Sequence, residues 1–102
     1  EQLRLFFLDH RNYLIADEVL ASGTINQLVV FPREIARRAL DLEAVSVILV
    51  HNHPSTSLTP SKHDIDLTLE LQETLARLDI KLYEHLIISK MGHYSFKAHQ
   101  LL

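Results

Sequence analysis

The period of the apolar positions changes from stretch to stretch along this chain, and each change marks an element. Residues 3–8, LRLFFL, form an apolar run of strand length, and DHRN after it supplies turn formers. Residues 13–16 and 18–21 read as strand segments that end at Ser22 and Gly23, so the chain opens on an antiparallel meander. In VVFPREIARRALDL the spacing becomes helical. Ile35, Ala39 and Leu42 share a face, Pro32 suits a first turn, and Glu34 sits near the positive end. Residues 45–50, VSVILV, are β-branched and almost wholly apolar, as in a central strand covered on both faces. A polar loop follows, and then SKHDIDLTLELQETLARLD. There Leu67, Leu71, Leu75 and Leu78 make one stripe with Ile65 nearby, which predicts a long amphipathic helix. KLYEHLIIS gives another strand, Met91 and Gly92 a turn, and HYSF a last short strand. Strands, helix, strand, helix, strands is the order of a single α/β domain over residues 1–102, a mixed sheet flanked by helices.

Composition narrows the chemistry more than the fold. A content of 47% hydrophobic and 23% charged residues is ordinary for a globular domain, and a chain of this length buries a real core without staples. The chain has no cysteine, which removes disulfides and thiolate metal sites; a metal here must be held by His, Asp, Glu or water. A formal net charge of −3 argues against a domain whose main task is gripping phosphate backbones, although Arg33, Arg37 and Arg38 can form a local basic patch. No apolar run approaches the ~18 residues of a membrane span, and the start lacks the layout of a signal peptide. These features predict a soluble, cytoplasmic domain. A first residue Glu1 in place of Met leads to the expectation that the chain is a piece of something longer.

The loop after VSVILV reads HNHPSTSLTPSKHD, residues 51–64. In an extended segment, side chains at i and i+2 point the same way. His51 and His53 therefore aim both imidazoles to one side while Asn52 faces the other. Pro54 stiffens the exit, and Asp64 falls about one turn into the next helix, within reach of the strand end. Two imidazoles and a carboxylate match the three-ligand pattern of a catalytic zinc site that keeps its fourth position open. A plainer account stands beside it. Ser61-x-x-Asp64 before an apolar helix is also a capping box, and a His-x-His pair alone is a weak signal. The two accounts are compatible, because a cap can orient a ligand. The adjacent letters HNH do not make the nuclease motif of that name, whose residues are spread along a ββ-metal-helix unit.

His51-Asn52-His53-Pro54-Ser55, followed by Thr59-Pro60-Ser61, Asp64 and Thr68, resembles the RadC family of bacterial proteins. That family belongs to the wider JAMM, or MPN-plus, metalloprotease-like superfamily, whose signature is an upstream glutamate and then His-x-His-x7-Ser-x-x-Asp. The spacing here fits without gaps. Leu8-Asp9, Gly23-Thr24, Phe31-Pro32-Arg33-Glu34, Ala39-Leu40, Glu84-His85 and Ser95-Phe96 extend the resemblance over almost the whole chain. It implies a JAMM/MPN-like fold with cytidine-deaminase-like layering, and a domain that forms the C-terminal part of a longer protein. It also implies roles. His51, His53 and Asp64 would be ligands of a zinc ion, and Ser61 would hydrogen-bond in the site and support an oxyanion. Glu1 would be the general base, with Glu18 as the runner-up. Two positions depart from the family pattern. Thr56 stands where a glycine is usual, which would strain a left-handed backbone there, and Glu84 stands where an aspartate is usual before His85. The Glu84-His85 pair reads as structural. His10, His63, His93 and His99 match nothing in the signature, and His63 reads as a rim residue.

Three functions compete on this sequence. The resemblance implies a zinc-dependent hydrolase of amide bonds, peptide or isopeptide, acting through a metal-activated water on an unidentified peptide or protein substrate. The family's traditional DNA-repair label implies a DNA-associated module, for which only Arg33, Arg37, Arg38 and Lys62 offer phosphate contacts. Such a module would bind with an affinity that falls steeply with salt. A non-catalytic scaffold is the third, and it sits least well with a complete ligand set. Exposed strand edges leave room for a homodimer.

Overall fold

Alternation accounts for the strands, and a topological rule accounts for where the helices go. The computed structural model describes residues 2–22, 30–54 and 56–102. In β1 (Gln2–Leu8) Leu3, Leu5 and Phe7 are buried, while Arg4 and Phe6 on the other face are half-buried. The turn after it is held by Asp9, whose Oδ1 accepts from the Arg11 and Tyr13 N–H groups, with Asn12 at φ 65°. β2 (Leu14–Ser22) then runs antiparallel to β1 as one continuous strand, where the sequence pattern showed two segments. α1 (Pro32–Asp41) starts on the proline, carries Glu34 in its first turn and buries Ile35, Ala36 and Ala39. β3 (Ser46–Asn52), α2 (Lys62–Ala76), β4 (Lys81–Ser89) and β5 (Gly92–Ser95) complete the chain.

The sheet is mixed, in the order β2-β1-β3-β4-β5, with β3 and β4 parallel and the other neighbours antiparallel. Because β1 is antiparallel to both β2 and β3, those two strands are parallel to each other. The chain thus makes two crossovers between parallel strands, β2-α1-β3 and β3-α2-β4, and both move in the same direction across the sheet. Right-handed crossovers of that kind place both helices on one face. Leu3, Leu5, Phe7, Val47, Leu49 and Leu82 of that face form one core with Ile35, Ala36 and Ala39 of α1 and Leu71 and Leu75 of α2. The central strand is therefore covered on one face, not two. Ile48 and Val50, on the far side with Phe6, stay half-buried, and among the described residues no helix covers them.

Two further details prepare the site. The register of β4 shifts between Val47 and Ile48 of its partner strand, so that Leu82 and His85 both face the helices although they are three residues apart. In α2 the buried positions are Asp64, Thr68, Leu71 and Leu75. The apolar stripe read from the sequence ran through Leu67 and Leu78 instead; Leu67 is half-buried, and Leu78 lies beyond the helix and is exposed. A spacing of four, three and four keeps one face of a 3.6-residue turn, and here two of its four members are polar. Among the described residues no helix is long and apolar enough to cross a membrane.

Candidate metal centre

β3 runs two residues further than its apolar run, through His51 to Asn52. His51 pairs with Leu3 of β1 and Ile87 of β4, which puts its ring on the helix face, 5% exposed. His53 lies just past the strand, with its N–H still donating to the Ile88 carbonyl at 2.9 Å. The i, i+2 geometry brings the two rings edge to face, with centroids 4.9 Å apart.

Asp64 arrives from the other side, at the start of α2. Ser61 Oγ accepts from the Asp64 N–H at 3.0 Å, and Asp64 Oδ2 accepts from the Ser61 N–H at 2.9 Å, which is a complete capping box. The box fixes the direction of the carboxylate. Oδ2 lies 3.2 Å from His53 Nε2 and Oδ1 lies 3.5 Å from His51 Nδ1. A tetrahedral ion with bonds of about 2.1 Å sets its ligands roughly 3.4 Å apart, so the separations fit one. Ligand atoms of the three residues all lie within 4.8 Å of one another.

Protonation points the same way. His53 Nδ1 lies 3.2 Å from the Ser57 carbonyl oxygen, which can only accept, so Nδ1 carries a proton and Nε2 is the nitrogen turned to the carboxylate. A lone pair facing a carboxylate oxygen at 3.2 Å is repulsive unless a positive charge, a proton or a metal ion, stands between them. Burial pushes the Asp64 carboxyl up. The Ser61 main-chain N–H, the charge of His51, the Ser61 hydroxyl and the charge of His53 together outweigh it, and the carboxyl is held below its ordinary range. A carboxylate at neutral pH is the form a metal ion takes, and an imidazole nitrogen already faces it.

Behind these three lies a fourth polar side chain. His85 is fully buried, stacks on Phe96 with centroids 4.2 Å apart and planes at 7°, and faces His51 at 6.0 Å. Its Nδ1 lies 2.7 Å from Thr68 Oγ1, and that hydroxyl donates to the Asp64 main-chain carbonyl at 2.7 Å. Burial, followed by the charge of His51, pushes the His85 imidazolium down to about 3, so the ring is neutral. The neighbouring Glu84 is spent elsewhere: it accepts from the His85 and Lys97 N–H groups and from Ser95 Oγ.

The family model of the RadC-like JAB domain matches residues 1–101. The chain belongs to the RadC family. A UPF0758 protein of Ruegeria pomeroyi is 51% identical over 98 residues, which cover 96% of this chain and 44% of that relative's length. The chain thus spans less than half of the curated relative it matches. The RadC-like JAB fold is that of metal-dependent hydrolases, and in this member His51, His53 and Asp64 form a group that can hold a metal ion.

The other residues singled out in this RadC domain fare differently. Glu1 lies outside the described residues. Glu18 is opposite Leu5, further along the sheet than the Leu3–His51 pair, and its two oxygens accept from Arg38 Nε and Nη2 at 2.9 and 2.6 Å. That guanidinium holds the Glu18 carboxyl below its ordinary range, so Glu18 is an ion-pair partner of α1. Replacing Glu18→Gln should leave metal binding unchanged; a competition titration against a chelating dye checks this. The Thr56 carbonyl accepts from Ser89 Oγ. Of the cations named for phosphate contacts, Arg38 is paired with Glu18, and Arg33 stacks over Phe31 at 5.3 Å.

Proposed function

We propose that this domain is a zinc-dependent hydrolase of amide bonds, peptide or isopeptide. One observation carries the reading: an imidazole nitrogen and a carboxylate oxygen are held 3.2 Å apart by groups fixed from behind, with a second imidazole on the other oxygen. Two imidazoles with one carboxylate is a donor set that suits zinc. When bound there, the ion would supply Lewis acidity toward a carbonyl and a water of lowered pKa. The chain's own residues do the rest. Ser57 keeps His53 oriented, and the capping box keeps Asp64 aimed. Ser61 Oγ accepts within that box and retains its hydroxyl hydrogen to donate to an oxyanion.

Glu1 takes the role of general base, removing a proton from the attacking water and delivering it to the leaving amine. The start of β1 supports this. The Gln2 N–H donates to Asn52 Oδ1 at 2.6 Å, and Leu3 pairs with His51, so the strand begins beside the ligands. The substrate is an unidentified peptide or protein, the compartment we assign is the cytoplasm, and the sheet's edge strands are where a homodimer would form. A DNA-associated role has less support, because the cations on α1 are partly committed to Glu18 and Phe31.

The test is hydrolysis by the zinc-loaded protein of peptide and isopeptide-linked substrates, followed as release of a new amine. A chelator should abolish the rate, and Glu1→Gln should lower it by about 10²- to 10⁴-fold. If the loaded protein cleaves neither class but binds DNA with an affinity that falls steeply with salt, the hydrolase reading is replaced by the DNA module.

A further inference from the structure

We infer that Thr68 and His85 are positioning residues for the metal centre: a neutral hydroxyl–imidazole pair that holds Asp64 and His51 from behind. The inference rests on the metal-centre reading above.

The donors decide the arrangement. A threonine hydroxyl has one proton, and a main-chain carbonyl can only accept. Thr68 Oγ1 is 2.7 Å from the Asp64 carbonyl and 2.7 Å from His85 Nδ1. Both contacts are hydrogen bonds only if Thr68 donates to Asp64 and His85 donates from Nδ1. The tautomer of His85 is thereby fixed, with the proton on Nδ1 and a lone pair on Nε2.

That lone pair is buried and has no hydrogen-bond partner among the described residues. A buried acceptor without a donor destabilises a fold, and an apolar side chain of similar volume would fill this place without that cost. Stability alone therefore does not explain an imidazole here. Its position does. β4 carries His85 next to His51 of β3, and Phe96 flanks it beyond, so three rings lie in a row across the sheet. The row limits how far His51 can turn. Thr68, meanwhile, sits one turn below Asp64 on the same buried face of α2 and ties the first turn of that helix to β4. The distance between the helix that brings the carboxylate and the strand pair that brings the imidazoles is set through this pair.

The variants separate positioning from packing. Thr68→Val keeps the shape and removes the hydroxyl, Thr68→Ser keeps the hydroxyl, and His85→Phe keeps the ring row without its nitrogens. Zinc affinity is read by competition, and cobalt(II) is substituted as a spectroscopic probe of ligand geometry. Thr68→Val and His85→Phe should each weaken zinc by about 10- to 100-fold and shift the cobalt absorption bands. Thr68→Ser should restore the parent values, and the double variant should be no worse than either single one, as expected of one coupled unit. Imidazole nitrogen–proton correlation spectra of the unsubstituted protein should show His85 protonated at Nδ1, a readout that needs no variant. Parent-like zinc affinity and cobalt bands in Thr68→Val, or a proton on Nε2 of His85, overturn the inference while leaving the metal centre standing. A parent protein that takes up neither zinc nor cobalt overturns the metal-centre reading, and this inference with it.

Discussion

His53→Ala should abolish metal binding and leave the fold intact. The expected loss exceeds the roughly 100-fold that follows from removing a group that merely supports a ligand, because here a ligand itself is removed. The cost to folding is small. The bond from the His53 N–H to Ile88 is main-chain and survives the substitution, and the ring is only one of several neighbours of Asp64. Asp64→Ala makes the contrast. It removes a ligand and half of the capping box together, so it should lose the metal and also about 1 kcal/mol of stability. Metal content by plasma mass spectrometry on untagged protein, set beside urea unfolding, checks both variants. Zinc held as tightly by both as by the parent would sink the assignment of His51, His53 and Asp64.

The grouping of His51, His53 and Asp64 was legible in the sequence because it is local. His51, His53 and Asp64 belong to one strand end, one loop and one helix start, and both the alternation of a strand and the reach of a cap are short-range rules. The order of elements was legible for the same reason. What escaped depends on long-range pairing. That β1 inserts between β2 and β3 is not written in any single segment, yet it makes β2 and β3 parallel and puts both helices on one face. The expectation of a central strand covered on both sides failed there. The helix stripe failed differently. The stripe held at Leu71 and Leu75, but searching α2 for apolar residues added Leu67 and Leu78, although the buried face continues through Asp64 and Thr68. Asp64 was read as a ligand and Thr68 only as part of the family motif, and neither was counted to the buried face because both are polar. His85 was read as structural, with no link to the ligands, because its partner Thr68 lies in another element and the register shift that turns it inward cannot be read from KLYEHLIIS. Glu1 was named from resemblance, and it stands on that.

His85 should also govern how the metal-free protein responds to acid. In the fold its imidazolium is pushed down to about 3, first by burial and then by the charge of His51, against an ordinary value of 6.5. Between those two values the unfolded chain binds a proton at this residue and the folded chain does not, so the unfolded state gains as pH falls. The stability contributed by keeping this ring neutral is complete above pH 6.5 and drains away toward pH 3, at up to ~1.4 kcal/mol per pH unit. Asp64, with its carboxyl below the usual range, adds a loss of the same sign, but only at pH below the ordinary carboxylate value of 3.8. The interval from pH 6.5 down to 4 therefore lies above the Asp64 loss, and the Glu18 carboxyl, also held low, is far from His85 and common to parent and variant. Urea unfolding at steps across that interval, with a chelator present throughout, should show the parent losing on the order of 3 kcal/mol more than His85→Phe. Phenylalanine carries no proton in either state, so its limb lacks this component. Parallel limbs for parent and variant would mean that His85 takes up its proton inside the fold, with water or a rearrangement satisfying the charge. The ring row behind the metal centre would then be looser than its 4.2 Å stack on Phe96 indicates.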